Sequence, residues 1–258
     1  MNNTLFLLSD FGTSDTYVAQ MKSVILSECS GSVTIIDLTH DIKAGSVSEG
    51  AFHLFVFRKY VKAGSVVVAV VDPGVGTARR GVVCKVDDAF FVGPDNGLFG
   101  LLPITRAWKL PDPQAGSSST FHGRDVFAPA GARLIIDPGW VDFLEPIEIE
   151  YLVPSAIEVP VWENSELKVS VAHIDIFGNI VLWLSTTDAM GYHPAFLQLP
   201  GGRIEPLTEV RTYDEHPGAL FLQGSQGLME IAVSCGSASE LLGLCTGDRI
   251  LLIKERNK

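Results

Sequence analysis

Cysteine is scarce and scattered. Cys29, Cys84, Cys235 and Cys245 share no CxxC spacing, so neither a zinc ribbon nor a redox motif is encoded, and free thiols of a cytoplasmic protein are expected. Basic charge is short too, with 19 Lys and Arg against 30 Asp and Glu. A net charge of −11 excludes the dense basic stripe that nucleic-acid phosphates require, while leaving room for a neutral or cationic small ligand. Long apolar runs are missing as well. The longest, at 52–57 and 66–71, fall far below the ~20 residues of a membrane span. The opening MNNTLFLLSDFG has no basic stretch and only four consecutive apolar residues, so no signal peptide is expected. What is there is a chain of 258 residues, 47% hydrophobic with 25 Gly and 14 Pro, which suits a folded core and excludes disorder.

Short apolar runs alternate with amphipathic stretches through the first 110 residues. Residues 5–8, 33–36 and 65–71 predict buried parallel strands. Between them, 17–29 places Val18, Met21, Val24, Ile25 and Cys29 on one helical face, and 47–60 does the same with Ala51, Leu54 and Phe55. This β-α-β-α-β order predicts an α/β layered domain with a mainly parallel sheet over 1–155. The Pro-, Gly- and Ser-rich stretch 111–120 predicts a loop, with a helix from about Arg124 to Ile136. From Leu167 the pattern changes to short strands at 167–174, 180–184, 195–199, 219–222, 228–233 and 249–253. These predict a smaller, all-β C-terminal domain, sandwich or barrel, over 165–258.

Each early strand runs into polar residues: Ser9-Asp10, then Asp37 with His40 and Asp41, then Asp72. Carboxyl ends of neighbouring parallel strands converge on one rim, where open α/β sheets bind ligands. In VDPGVGTARR the spacing allows Arg79 to fold back on Asp72, either as an ordinary turn ion pair or as a guanidinium that keeps a rim carboxylate ionised. The glycines fit neither a Walker loop nor a dinucleotide fingerprint. His122 follows the flexible stretch and precedes a helix start. In DIFGN, Phe177 and Asn179 offer an aromatic face and an amide for a purine edge, or simply a β-turn with an Asx cap.

Taken in order, SDFGTSDTYVAQMK, the Asp72 to Arg80 loop, VGPDNGLF, FHGRDVFAP, DIFGN and SQGLMEIAV resemble the S-adenosyl-L-methionine (SAM) hydrolases, or SAM hydroxide adenosyltransferases, relatives of the fluorinating and chlorinating SAM enzymes. The resemblance runs from Leu7 to about Ala238. It implies a homotrimer with SAM held between the N-terminal domain of one subunit and the C-terminal domain of its neighbour. Water displaces methionine at the 5′ carbon, giving adenosine and L-methionine without cofactor or metal. The family's catalytic set falls on Asp72, Arg79 and His122, and the presence of both Asp72 and His122 implies hydroxide rather than halide. Asp10 matches the ribose carboxylate, Asp175 and Ser225 the methionine end, and Phe177, Asn179 and Tyr213 the adenine pocket, completed by the backbone near Val233. Tyr17, Phe121, Gly123, Gln226 and Glu230 are the remaining expected substrate contacts. In two departures, Gly45 stands where the fluorinating enzymes have an aromatic and Gln226 where they have a carboxylate-binding Arg.

The chemistry implied is coherent. A sulfonium is already a good leaving group, so the difficulty lies in desolvating, aligning and deprotonating water. Asp72 would accept a proton or hydrogen bond, Arg79 would keep it ionised, and His122 would hold or relay a second proton. Alignment is worth roughly 7–11 kcal/mol and acid–base help about 10²–10⁴-fold in such reactions. Two other readings compete: a non-catalytic adenosine or SAM sensor using the same pocket, and a metal-dependent hydrolase with Asp10, Asp72, Asp95 and His122 as ligands. A cationic Arg79 beside Asp72 argues against the latter.

Overall fold

The computed structural model describes residues 3–113, 116–163, 166–213 and 216–255. The chain divides into two compact units, Met1–Ala156 and Ile157–Lys258. In the first, β1 (Thr4–Ser9), β2 (Thr34–Thr39), β3 (Val66–Val70), β4 (Gly81–Val86), β5 (Ala89–Pro94), β6 (Ile104–Lys109) and β7 (Glu145–Ile147) form one sheet in the order β2-β1-β3-β5-β4-β6-β7. Helices α1 (Tyr17–Glu28), α2 (Val47–Phe57) and α3 (Ala128–Ile136) accompany it.

Alternation along β1 explains the layering. Leu5 and Leu7 join Met21 and Ile25 of α1 and Leu134 of α3, while Phe6 and Leu8 join Leu54 of α2 on the other face. Gly131 lets α3 lie close on β3, since a Cβ there would sit 2.4 Å from Val68 Cγ2.

The expectation of a mainly parallel sheet is corrected. Pairs β1–β2, β1–β3 and β3–β5 are parallel, but β5–β4, β4–β6 and β6–β7 are antiparallel. The physical cause is the connection: only Asp87 and Asp88 separate β4 from β5, which permits a hairpin and forbids a crossover. Nor is β2 buried as its apolar run predicts. It is the sheet edge, with Ile36 exposed. The expected loop at 111–120 carries no helix or strand where described, and its residues 114 and 115 lie outside the described residues. The predicted helix from Arg124 begins as a π-turn, Gly123–Phe127, before α3.

The second unit contains β8 (Val161–Glu163), β9 (Glu166–Ile174), β10 (Ile180–Ser185), β11 (Phe196–Gln198), β12 (Ile204–Glu209), β13 (Ala219–Gln223), β14 (Leu228–Val233) and β15 (Arg249–Ile253). The order β10-β14-β13-β12-β11-β15-β9 closes through β9–β10, so of sandwich and barrel it is the barrel, with β8 added on β9. Closure removes free edges around a core of Val169, Val171, Leu182, Phe221, Ile231 and Leu252. One short helix, α4 (Ala238–Leu242), departs from the all-β expectation. No helix among the described residues is long and apolar enough to cross a membrane.

Candidate active site

Asp72 leaves β3 into a tight turn, in which Val75 N donates to the Asp72 carbonyl and Thr77 N to that of Gly74. The turn returns Arg79 onto Asp72. Nε lies 3.0 Å from each carboxylate oxygen and Nη2 lies 2.5 Å from Oδ2. The same Nη2 lies 2.8 Å from His122 Nδ1. Both partners of the ion pair are nearly buried, with side-chain exposures of 11% for Arg79 and 5% for Asp72. The guanidinium also stands 5.1 Å from the Phe127 ring centroid.

Gly76 makes this approach possible. Its φ is +77°, and a Cβ there would sit 2.6 Å from the carbonyl oxygen of Ser119, three residues before His122. His122 is buried, and its imidazole is held below the ordinary value of 6.5 by burial first and by the Arg79 charge second, against the opposing pull of Asp72 and Asp125. A guanidinium offers only donors, so Nδ1 is the acceptor and the ring proton resides on Nε2. In this tautomer the imidazole offers a donor at Nε2 rather than a free basic nitrogen. A cavity of about 410 Å³ is lined by Arg79, His122, Thr77 and Ser119, among others.

Asp10, at the β1 exit, accepts from Gly45 N at 2.7 Å, and a Cβ on Gly45 would lie 3.7 Å from Pro73 Cβ, so the two exits meet through that turn. Tyr17 and Phe11 each meet the Phe121 ring edge-on and each other at a tilt, with centroids 5.1–5.8 Å apart. Gly123 backs these rings, where a Cβ would lie 3.1 Å from Phe121 Cε2.

In the second unit a cavity of about 680 Å³ brings together Asp175, Phe177, Asn179, Tyr213, Ser225, Gln226, Glu230 and Val233. Asp175 organises its turn: Oδ1 accepts from Phe177 N and Asn179 N, and Oδ2 from Asn179 Nδ2, all at 2.9 Å. That contact orients the Asn179 amide, with its nitrogen toward the carboxylate and its oxygen available elsewhere. Tyr213 Oη donates to Glu230 Oε2.

The four ligands of the metal-site reading do not converge among the described residues. Asp72 holds Arg79, while Asp95 holds Arg80 and accepts from Val153 N at 2.9 Å. Sequence reasoning gave no role to Asp125, whose Oδ2 accepts from Ser118 N at 2.7 Å and which Arg124 clasps, tying down the approach to His122. The signal was the adjacent Arg-Asp pair directly after His-Gly.

Residues 5–138 match the SAM hydroxide adenosyltransferase N-terminal domain, and residues 169–251 match the C-terminal domain of the same name. This chain belongs to the SAM hydroxide adenosyltransferase family. Among relatives, an (R)-S-adenosyl-L-methionine hydrolase of Thermus thermophilus is 39% identical, covering 96% of this chain and 99% of the relative. One of Salinispora arenicola, so named too, is 36% identical over 94% of each chain. A crystal structure of an uncharacterized conserved protein from Thermotoga maritima superposes with a TM-score of 0.87 at 26% identity, covering 97% of this chain and all of that one.

Proposed function

We propose that this family member hydrolyses SAM to adenosine and L-methionine, with the (R) sulfonium epimer of its named relatives as substrate. The observation that carries the chemistry is one buried guanidinium joined to both a carboxylate and an imidazole. Water attacks C5′ opposite the C–S bond. The C5′–O bond forms, the C5′–S bond breaks, and its electron pair neutralises the sulfonium as the thioether of methionine. Asp72 accepts the proton the water loses, and solvent receives it afterwards. Arg79 aligns the Asp72 carboxylate, and His122 fixes the second edge of that guanidinium. The leaving group is already cationic, so the reaction draws on no cofactor or metal.

Residues 1–155 supply this catalytic set and residues 165–258 the adenine pocket. Asp10 takes the ribose, with Tyr17, Phe121 and Gly123 forming the adjoining wall. Phe177, Asn179, Tyr213, Glu230 and the backbone at Val233 receive adenine, and Asp175, Ser225 and Gln226 face the methionine end. Phe177 is 72% exposed and Tyr213 56% exposed in the single chain, which supports a pocket completed by another surface. The family resemblance supports a homotrimer with the site shared between subunits. Four free cysteines fit a reducing cytoplasm.

The test is incubation of purified protein with each sulfonium epimer in ¹⁸O-labelled water, following adenosine and methionine. The expected result is equimolar products, ¹⁸O at the 5′ position, and insensitivity to EDTA. No product above an Asp72→Ala control overturns the reading, and tight adenosine binding without turnover marks a sensor instead.

A further inference from the structure

A second chain of polar contacts lies beside Asp10. Between Leu7 and Leu8 the β1–β2 register slips: Leu7 pairs with Asp37 but Leu8 pairs with Thr39. The extra residue, Leu38, carries His40 alongside Ser9. Ser9 Oγ then lies 2.7 Å from His40 Nδ1, and His40 Nε2 lies 3.1 Å from Asp37 Oδ1. Lys22 Nζ closes the chain at 2.5 Å from Asp37 Oδ2. The Phe11 N–H donates to Ser9 Oγ at 3.4 Å, which turns the hydroxyl proton toward Nδ1 and leaves the ring proton on Nε2, which lies near Asp37 without hydrogen-bonding geometry. His40 grips the β1 exit a second time, through its own carbonyl, which accepts from Gly12 N at 2.7 Å.

Serine, histidine and aspartate in this connectivity suggest a nucleophilic triad, but access excludes it. Ser9 is 1% exposed and its hydroxyl is engaged on both sides, so no substrate carbon reaches it. The chain instead brackets one residue. His40 holds Ser9 before Asp10 and Gly12 after it, while Gly45 N holds the Asp10 carboxylate itself.

We infer that His40 is a positioning residue for the nucleoside: by tying Ser9 and Gly12 to the β2 exit, it sets the backbone from which Asp10 meets the ribose hydroxyls. This rests on the reading of Asp10 as the ribose carboxylate. Its consequence is selective, because a ligand without ribose hydroxyls gains nothing from a well-placed Asp10.

The experiment measures adenosine and 2′,3′-dideoxyadenosine binding by calorimetry for the wild type, Asp10→Ala, His40→Ala, Ser9→Ala and the Asp10→Ala/His40→Ala double variant. KM and kcat for SAM are measured in parallel. Loss of His40 or of the Ser9 hydroxyl is expected to weaken adenosine about five- to tenfold, the scale of one well-made hydrogen bond, with dideoxyadenosine shifted less than about twofold. KM should rise by the adenosine factor while kcat falls less. In the Asp10→Ala background, His40→Ala should add nothing. Equal weakening of both ligands, as a purely structural role gives, or additivity with Asp10→Ala, overturns the inference. Should His40→Ala fail to fold, Ser9→Ala reads the same contrast. A wild type that binds the two nucleosides equally, or does not turn SAM over, instead locates the failure in the ribose or hydrolase reading.

Discussion

Tyr213 Oη donates to Glu230 Oε2 at 2.9 Å, and the two groups move each other's titration in the barrel cavity. Burial raises the Glu230 carboxyl above its ordinary value of 4.5. The Tyr213 hydrogen bond offsets part of that, and the Asp175 charge adds to it. Burial and the neighbouring carboxylate push Tyr213 up to about 12, so it stays a donor throughout the working range.

A stability prediction follows from that sign. Folded Glu230 binds its proton at higher pH than the unfolded chain, so its contribution is complete below 4.5 and is lost as pH rises toward the folded value. Glu230→Gln has no such slope. Its melting temperature is expected to gain on the wild type as pH rises from about 4 to about 7. Parallel melting curves across that range refute the account.

His122 behaves in the opposite sense. Burial and Arg79 hold it below 6.5, so its stability contribution is complete above 6.5 and is lost as pH falls from there to the folded value. Replacing Arg79 with Gln removes the opposing charge while Asp72 and Asp125 remain, so the imidazole midpoint should move to higher pH. NMR titration of His122 in the two proteins measures it. A midpoint that is unmoved, or lower in the variant, removes Arg79 as a cause.

Strands β1 and β3 were legible because buried parallel strands read as continuous apolar runs, and β2 carries such a run although it lies exposed at the edge. The antiparallel half of the first sheet was not legible, since Val82–Cys84 and Phe90–Val92 are equally apolar and only the two-residue link at Asp87 and Asp88 distinguishes a hairpin. Pro206 hid β12 by interrupting a short run. Barrel closure depends on β10 meeting β14 and β9 meeting β15, nonlocal pairings that no local pattern carries. In the candidate site, Asp72 and Arg79 were legible from their spacing within one turn. That His122 joins them depends on Gly76 packing on Ser119, and that His40 joins Ser9 depends on one register slip.

That packing distinguishes two glycines of one loop. A Cβ on Gly74 meets only ordinary contacts, 3.5 Å from Arg79 Cγ and Thr77 Oγ1, whereas Gly76 combines positive φ with a backbone clash. Gly74→Ala is expected within about 0.5 kcal/mol of wild-type stability, and Gly76→Ala to lose about 1–3 kcal/mol. Turnover should fall at least about tenfold in Gly76→Ala, because moving Ser119 moves His122 relative to Arg79. Thermal unfolding and kcat measure both. Equal behaviour of the two variants removes the loop contact from the mechanism.

Asp175 supplies a specificity prediction, because it orients an amide without itself reading the base. With Asn179 Nδ2 held by Asp175 Oδ2, the Asn179 oxygen is the atom left to accept from an exocyclic amino group. Adenosine has that donor, while inosine presents an acceptor at the same place and leaves the two oxygens facing each other. The wild type should therefore prefer adenosine by about 100-fold or more. In Asp175→Asn, Oδ1 still accepts from Phe177 N and Asn179 N, so the turn survives, but the orienting charge is gone and the Asn179 amide is free to rotate. The preference should narrow by about tenfold, chiefly through tighter inosine binding rather than general weakening. Competition binding of the two nucleosides to both proteins decides it: an unchanged ratio means that Asp175 does not set the orientation of the amide.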